Sequence, residues 1–83
     1  MNILTFISTY EHFEAEESGI KPYTVRDFEK MSSFMKHKVI GATHVKIRKA
    51  YTTKSILRKI THKLYWDKWV ILSWNPSDVS EVE

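Results

Sequence analysis

The sequence predicts a mainly β protein of the α+β class, a small mixed β-barrel of about five strands with one helix near the N-terminus. Short apolar or alternating segments separated by turn residues indicate the strands. In a chain of 83 residues, an open sheet with so many strands would leave unpaired edges, so we expect a closed or nearly closed barrel. The length allows a single domain at residues 1–75, and residues 76–83 are predicted to form a flexible acidic tail.

A strand and a helix are predicted at the N-terminus. The apolar run at residues 2–7 favours the first strand, and a hydroxyl at Ser8 or Thr9 can then cap a helix. Gly19 is placed to end this helix, because glycine readily adopts the left-handed conformation found after helix C-termini. One face of the helix is expected to carry Tyr10, Phe13 and Glu17.

The middle of the chain gives an ambiguous pattern and then a clear one. Residues 20–26 read as a second strand, although Pro22 cannot donate a ladder hydrogen bond and belongs on an edge or at a bulge. Residues 27–35 are ambiguous, with Asp27 able to cap a short helical turn. From Thr43 onward, apolar and basic residues alternate, which predicts a strand with one basic face.

The C-terminal half predicts a β-hairpin. Residues 55–65 and 69–74 are strand-like, and Asp67-Lys68 between them has the length of a tight turn. Aromatic and β-branched pairs across a hairpin stabilise it by roughly 0.2–1 kcal/mol each. The expected cross-strand pairs are Trp66 with Trp69, Tyr65 with Val70, Leu64 with Ile71, His62 with Ser73 and Thr61 with Trp74.

Charge is distributed unevenly along a chain whose formal net charge is +3 and whose isoelectric point is about 9.2. Residues 1–17 contain four acids and no lysine or arginine, whereas residues 36–68 contain ten lysines or arginines and a single acid. Such a basic block attracts phosphates or forms a solvated sheet face, and both interpretations stay open. The candidate contacts to the phosphates of a nucleic acid are His44, Lys46, Arg48, Lys59 and Lys63.

Several kinds of site are excluded by what the sequence lacks. Without cysteine there are no disulfides or thiolate metal sites, and the four histidines lack metal-ligand spacing. Two glycines cannot form a glycine-rich phosphate loop, and no nucleophile elbow is present. We therefore predict no metal and no cofactor. The N-terminus lacks the features of a secretory signal, and no apolar run is long enough to cross a membrane, so we expect a cytoplasmic protein.

The stretch GIKPYTVRD, at residues 19–27, carries the most specific motif in the chain. Gly19, Lys21, Thr24 and Arg26 form the pattern Gly-x-Lys-x-x-Thr-x-Arg directly after the predicted helix. In this position the pattern resembles the signature of the ASCH family, a branch of the PUA-like β-barrels. Residues 50–74 look like the closing strands of small ASCH relatives in bacterial and phage genomes. The resemblance implies a PUA-like barrel that binds RNA or a nucleotide in a cleft beside the motif.

The resemblance also implies roles for individual residues. One small bacterial branch of the family hydrolyses the amide of acetylated cytidine, with a lysine at the position of Lys21 as nucleophile or base and a threonine at that of Thr24 assisting. Arg26 would bind or orient the polar ligand. The glutamate that completes this scheme lies in a helical insertion, for which residues 51–55 leave no room. Asp27 is the nearest substitute, and the missing glutamate weighs against catalysis.

Two physical requirements follow for such a site. A working lysine must lose its proton, which a positive field from Arg26 and an inward-facing Arg58 would assist. In a regular strand Lys21 and Thr24 would point to opposite faces, because side chains alternate. A bulge near Pro22 is therefore expected to bring them to one side.

Purely structural roles for the same residues also stay open. Lys21 can be an edge lysine that prevents aggregation, Thr24 a strand former, and Arg26 the partner of a carboxylate at Glu17 or Asp27. The three tryptophans suit barrel packing. One of them is expected to stack on a ligand, and our choice is Trp74.

Three functions therefore remain open. The first is a small ASCH-like module, phage or prophage encoded, that binds RNA or a nucleotide. The second is an amidohydrolase or ribonuclease acting on modified cytidine or RNA. The third is a phage protein that binds and inhibits a host protein, for which the acidic helix face at Glu14, Glu16 and Glu17 is a candidate contact. The sequence does not predict the oligomeric state.

Overall fold

The computed structural model describes residues 1–77, which form a five-stranded mixed sheet curved into a half-barrel with two helices. The strands are β1 Ile3–Ser8, β2 Tyr23–Asp27, β3 His44–Lys49, β4 Ser55–Trp66 and β5 Trp69–Trp74. The helices are α1 Tyr10–Ser18 and α2 Ser33–Gly41. The mainly β α+β class is as predicted, with two helices where one was expected. Residues 78–83, most of the predicted tail, lie outside the described residues.

The strands follow the order β1-β3-β4-β5-β2 across the sheet. β1 runs parallel to β3, and the other neighbours are antiparallel. β4 serves both halves of the sheet, because residues 55–59 pair with β3 and residues 60–66 pair with β5. β1 and β2 are the two edge strands, and within the described residues no ladder joins them. The predicted barrel is therefore open along one seam, between β1 and β2.

The β4–β5 hairpin has the predicted register up to one irregularity. Its pairs include Trp66–Trp69, Tyr65–Val70, Leu64–Ile71 and His62–Ser73, as expected. The expected pair of Thr61 with Trp74 is wrong, because a register shift between Ile60 and His62 makes Ile60 the partner of Trp74. The extra residue reverses the alternation of side chains beyond it. Lys59 and Lys63 therefore lie on opposite faces of β4.

Two apolar clusters fill the inner face of the half-barrel. The first contains Leu4, Val39, Ala42, Val70 and Leu72. The second contains Phe13, Val45, Ile47, Ile56 and Trp74. Each helix contributes one fully buried apolar side chain, Phe13 from α1 and Val39 from α2, so both helices pack on the inner side of the sheet. Neither of these described helices is long and apolar enough to cross a membrane.

The position of Trp74 corrects one sequence expectation. Its side chain is only 3% exposed and packs in the second cluster, so it cannot stack on a ligand at the surface. It lies on the inner face because Ile60, its cross-strand partner, also packs against both clusters. Trp66, at the tip of the hairpin, is 67% exposed and is the accessible tryptophan.

Local signals explain most of the helix boundaries. Thr9 precedes α1 in an extended conformation, but its hydroxyl makes no capping hydrogen bond. Gly19 follows α1 with φ of 87°, and a Cβ there would also lie 3.0 Å from the Pro76 carbonyl oxygen. Ser32 caps α2 by accepting a hydrogen bond from the Met35 amide. The Asp27 side chain accepts a hydrogen bond from the Lys30 amide in a turn, but no helix begins there, and α2 begins only at Ser33.

We predict that Tyr51→Gly raises thermal stability. Tyr51 lies in the β3–β4 loop with φ of 61° and a fully exposed side chain, so it has left-handed strain without packing. That backbone region costs an L-residue about 1–2 kcal/mol, part of which the flexibility of unfolded glycine offsets. We expect the unfolding midpoint, followed by circular dichroism, to rise by roughly 2–5 °C. Thr53→Gly, in the same loop without positive φ, should lower it; equal shifts in both variants would contradict the prediction.

Candidate functional site

A cavity of about 410 Å³ opens at the seam between the edge strands β1 and β2. It combines side chains of both strands with those of α1 and of the loop that leads from α1 to β2. Its lining residues are Ile7, Ser8, Thr9, His12, Lys21, Tyr23, Thr24, Val25 and Arg26. Lys21, Thr24 and Arg26, the three motif residues with polar side chains, therefore line the same cavity.

The route by which Lys21 reaches this cavity differs from the expected one. β2 pairs with β5 in an unbroken register from Tyr23 to Asp27, so there is no bulge near Pro22. Lys21 lies before the strand, where the chain turns out of α1 and the Lys21 amide donates to the Ala15 carbonyl oxygen. Side chains alternate between faces only within a strand, so this rule does not force Lys21 and Thr24 to opposite faces.

Lys21 forms an ion pair with a carboxylate that the sequence reasoning missed. Its Nζ lies 3.2 Å from Glu16 Oε2, and the Glu16 side chain is fully buried. The same Nζ lies 3.3 Å from His12 Nδ1. Among the described residues, Glu16 Oε1 has no hydrogen-bond partner. The pair places a proton donor and a proton acceptor side by side, with little water around the carboxylate.

Glu16 was missed because the predicted inner face of the helix was displaced by one residue. The sequence grouped Phe13 with Glu17, four residues on, whereas the buried residues of α1 are Phe13 and Glu16. Glu17 instead pairs with Lys54 at 3.1 Å. The sequence did contain a signal for this ion pair. A glutamate in the last turn of a helix that ends in glycine lies close to the residues that follow the glycine. Lys21 is one of those residues.

Arg26 joins the two edge strands through side-chain hydrogen bonds. Its Nε donates to Thr24 Oγ1 at 3.0 Å, its Nη1 to the Ile7 carbonyl oxygen at 3.1 Å, and its Nη2 to Ser8 Oγ at 3.0 Å. The guanidinium also lies 4.5 Å from the centre of the Phe6 ring. Thr24 is buried, and its hydroxyl fixes the orientation of the Arg26 guanidinium. Arg26 thus bridges β2 to β1 across the seam.

The charge of Arg26 is held in a partly desolvated position. Burial lowers the pKa of Arg26, and the nearby negative charge of Glu16 acts in the opposite direction. No carboxylate of the described residues accepts a hydrogen bond from Arg26, so the expected pair with Glu17 or Asp27 does not form. Because the negative charge of Glu16 offsets the positive charge of Lys21, the charge of Arg26 leaves the cavity wall with an excess of positive charge.

Arg58 faces inward, as expected, but it does not reach the cavity. It is buried, and its guanidinium donates to the carbonyl oxygens of Leu57 at 3.0 Å and Glu17 at 3.4 Å. The second contact places it at the C-terminal end of α1, where a cation stabilises exposed carbonyl groups. Arg58 is therefore not positioned to bind a ligand beside Lys21, and Trp74 is excluded by its burial.

The predicted phosphate contacts divide between two faces of the sheet. His44, Lys46 and Arg48 alternate with buried residues on β3, and Lys59 pairs with His44, so these four lie on the outer face. Lys63 lies on the inner face, where its Nζ donates to the Ile40 carbonyl oxygen at 2.7 Å. Burial lowers the pKa of Lys63. The bulge in β4 accounts for this separation.

Part of the charge asymmetry is neutralised within the fold. Lys49 Nζ lies 3.0 Å from Glu14 Oε1, and this hydrogen bond lowers the pKa of Glu14 and raises that of Lys49. Lys54 pairs with Glu17, and Lys21 with Glu16. All three acids proposed as a contact for a host protein are therefore engaged with lysines of the same chain.

The fold and the site define a mainly β α+β protein with a polar, cationic cavity at the open seam of its sheet. No protein-family model matches the chain, and no curated protein matches its sequence. Membership of the ASCH family therefore stays a prediction based on the motif.

We predict that the Lys21–Glu16 pair is strongly coupled in stability. Lys21→Met alone leaves a buried carboxylate without its cation, which costs roughly 3–5 kcal/mol. The double variant Lys21→Met/Glu16→Gln should regain most of that loss. Urea denaturation of the two single variants and the double variant measures the coupling.

The Lys49–Glu14 pair provides the matched control, because the Glu14 side chain is 43% exposed whereas that of Glu16 is fully buried. The double-mutant cycle of Lys49→Met and Glu14→Gln should give a much smaller coupling, because water screens this pair. Equal coupling in both cycles would show that Glu16 is not effectively desolvated.

Proposed function

We propose that the protein is a small ASCH-like module that binds a nucleotide, or a nucleoside of RNA, in the cavity at the seam. The convergence of Lys21, Thr24 and Arg26 on one cavity is the observation that carries the proposal. The volume of about 410 Å³ falls in the range of small-molecule sites, roughly 300–1,000 Å³. The motif resemblance supports the same ligand class.

The lining residues suit a planar, electron-rich ligand. Arg26 uses three N–H groups within the protein, which leaves two of its five donors for a carbonyl or phosphate oxygen. Tyr23 stands at the rim with a partly exposed ring, and Lys21 Nζ lies 5.6 Å from the centre of that ring. A base can stack on such a ring, a contact worth about 1–3 kcal/mol.

Binding is tested by titrating amide chemical shifts with cytidine, acetylated cytidine, cytidine monophosphate and a short RNA. We expect the largest shifts at residues lining the cavity. The double variant Lys21→Met/Glu16→Gln removes both charges and keeps the net charge, and we expect at least a tenfold weaker Kd. Lys49→Met/Glu14→Gln removes an ion pair outside the cavity and should bind like the unmodified protein. Equal Kd values in both double variants, or no binding by the unmodified protein, would refute the site.

A second candidate function, hydrolysis of the amide of an acetylated cytidine, is favoured by the Lys21–Glu16 contact. The sequence offered no acid-base partner for Lys21, and Glu16 supplies one at 3.2 Å. After passing a proton to Glu16, Lys21 accepts a proton from water as the hydroxide adds to the acetyl carbonyl carbon. The C–N bond then breaks as Lys21 returns the proton to the leaving nitrogen, giving cytidine and acetic acid, and Glu16 returns its proton to Lys21. The free donors of Arg26 can stabilise the oxyanion.

Hydrolysis is tested by following the release of cytidine from acetylated cytidine. Glu16→Gln keeps an acceptor for the Lys21 ammonium but cannot take its proton. We expect turnover to fall by about 10²–10⁴-fold, with cytidine affinity changed only a few-fold. Glu14→Gln, on the same helix and outside the cavity, is the control and should stay active. Full activity in Glu16→Gln, or no release by the unmodified protein, would remove this candidate and leave the binding function standing.

A further inference from the structure

The outer surface of the β4–β5–β2 half of the sheet carries six apolar residues that no described element covers. Direct cross-strand pairing places Val25, Ile71 and Leu64 in one row across the three strands. Trp66 and Trp69 lie in the next row toward the hairpin tip, and Tyr23 lies in the row on the other side. We call these six residues the outer apolar face. Their side chains are exposed or half-buried, up to 67% for Trp66.

This face is apolar in strands that are also apolar on their inner side. In β5, Val70, Leu72 and Trp74 are buried in the core, while Trp69 and Ile71, which alternate with them, point outward. Strands with large apolar residues on both sides are typical of sheets covered on both faces. The helices pack on the inner side only, so the outer side lacks a cover among residues 1–77. Contiguous exposed apolar surface of this kind marks an interface.

We propose that the outer apolar face binds a second copy of this chain. The face is complementary to itself under a two-fold axis that crosses the strands at the middle row. Val25 and Leu64 then meet their own counterparts, so the aliphatic row packs on the same row of the other copy. The contacts of such an interface occur twice by symmetry. Two sheets that pack face to face lie about 10 Å apart, which aliphatic side chains fill.

The polar residues at the two ends of the face also match under this axis. The row of Tyr23 also contains Ser73 and His62, which supply hydrogen-bond donors. The row of Trp69 also contains Asp27, a carboxylate. The two-fold axis places the Tyr23 hydroxyl of one copy opposite Asp27 of the other, and His62 opposite the Trp66 ring. The Asp27 carboxylate can therefore accept a hydrogen bond from the Tyr23 hydroxyl, and the face of the Trp66 ring can contact an N–H group of His62.

The same residues disfavour a nucleic acid as the occupant. An aliphatic middle row provides no stacking surface, and Asp27 repels phosphates. Lys68, the cation beside this face, lies 4.9 Å from the centre of the Trp69 ring. The basic outer residues Lys46 and Arg48 belong to the other half of the sheet. The chemistry of the face is that of a protein interface, with aromatic residues around an aliphatic centre.

Sedimentation across the micromolar to millimolar range tests the proposal. We expect the unmodified protein to form a dimer as concentration rises, and Leu64→Lys to weaken dimerisation at least tenfold, since each copy would bury the added charge against the other. Phe34→Lys is the matched control, because Phe34 is an exposed apolar residue of α2, outside this face; it should dimerise normally. Circular dichroism checks that both variants fold, and Trp66→Ser replaces Leu64→Lys if the latter does not.

Three results would overturn the proposal. One is an unmodified protein that stays monomeric throughout the concentration range. Another is a dimer weakened equally by the Phe34 and Leu64 substitutions, which would place the interface elsewhere. The last is a monomer whose tryptophan fluorescence is quenched by single-stranded RNA, with the quenching lost in Trp66→Ser, which would show that the outer apolar face stacks nucleobases.

Discussion

The hydrogen bonds of Arg26 set the separation of the two edge strands, and the cavity depends on that separation. No backbone ladder joins β1 to β2 within residues 1–77. The guanidinium of Arg26 spans the seam instead, with Ile7 and Ser8 on one side and Thr24 on the other. Its planar fork fixes both distance and direction, which a flexible lysine would not do. Direct pairing of the edges would close the barrel and the cavity, whereas in this structure the Arg26 side chain bridges the open seam.

The motif residues that line the cavity therefore also hold the fold together. Thr24 is a buried strand residue, but its hydroxyl is also the acceptor that orients Arg26. Lys21 is not a free edge lysine, because the buried Glu16 holds it. Burying the charges of Glu16 and Arg26 costs free energy. The domain tolerates this cost because Glu16 ties α1 to Lys21, and Arg26 ties β2 to β1.

Strands and turns could be predicted because their signals are local. The alternation from Thr43 and the tight turn at residues 67–68 gave β3 and most of the hairpin register correctly. The bulge near Thr61 has no local signature, and missing it gave Trp74 the wrong cross-strand partner and grouped Lys63 with Lys59 on one face. The burial of Glu16 was missed for a different reason: its partner Lys21 is only five residues away, but the inner face of α1 was assigned to Glu17 instead. The sequence pattern could show which residues are polar, but not which of them the fold would bring together.

The bulge also divides the outer surface of the sheet into two chemically different halves. On the β1–β3 side the outer face is basic, with Lys46 and Arg48, and on the β4–β5–β2 side it is apolar. The cavity lies at the seam where the two halves meet. Arg48 pairs directly with Ile7, which lines the cavity, so the basic surface begins at the cavity wall. A polyanion with one nucleotide in the cavity would therefore extend over β1 and β3, where its phosphates meet cations, and away from the face assigned to a second copy. Tyr23 and Val25 line the cavity and also belong to the outer apolar face, so the two surfaces adjoin along β2.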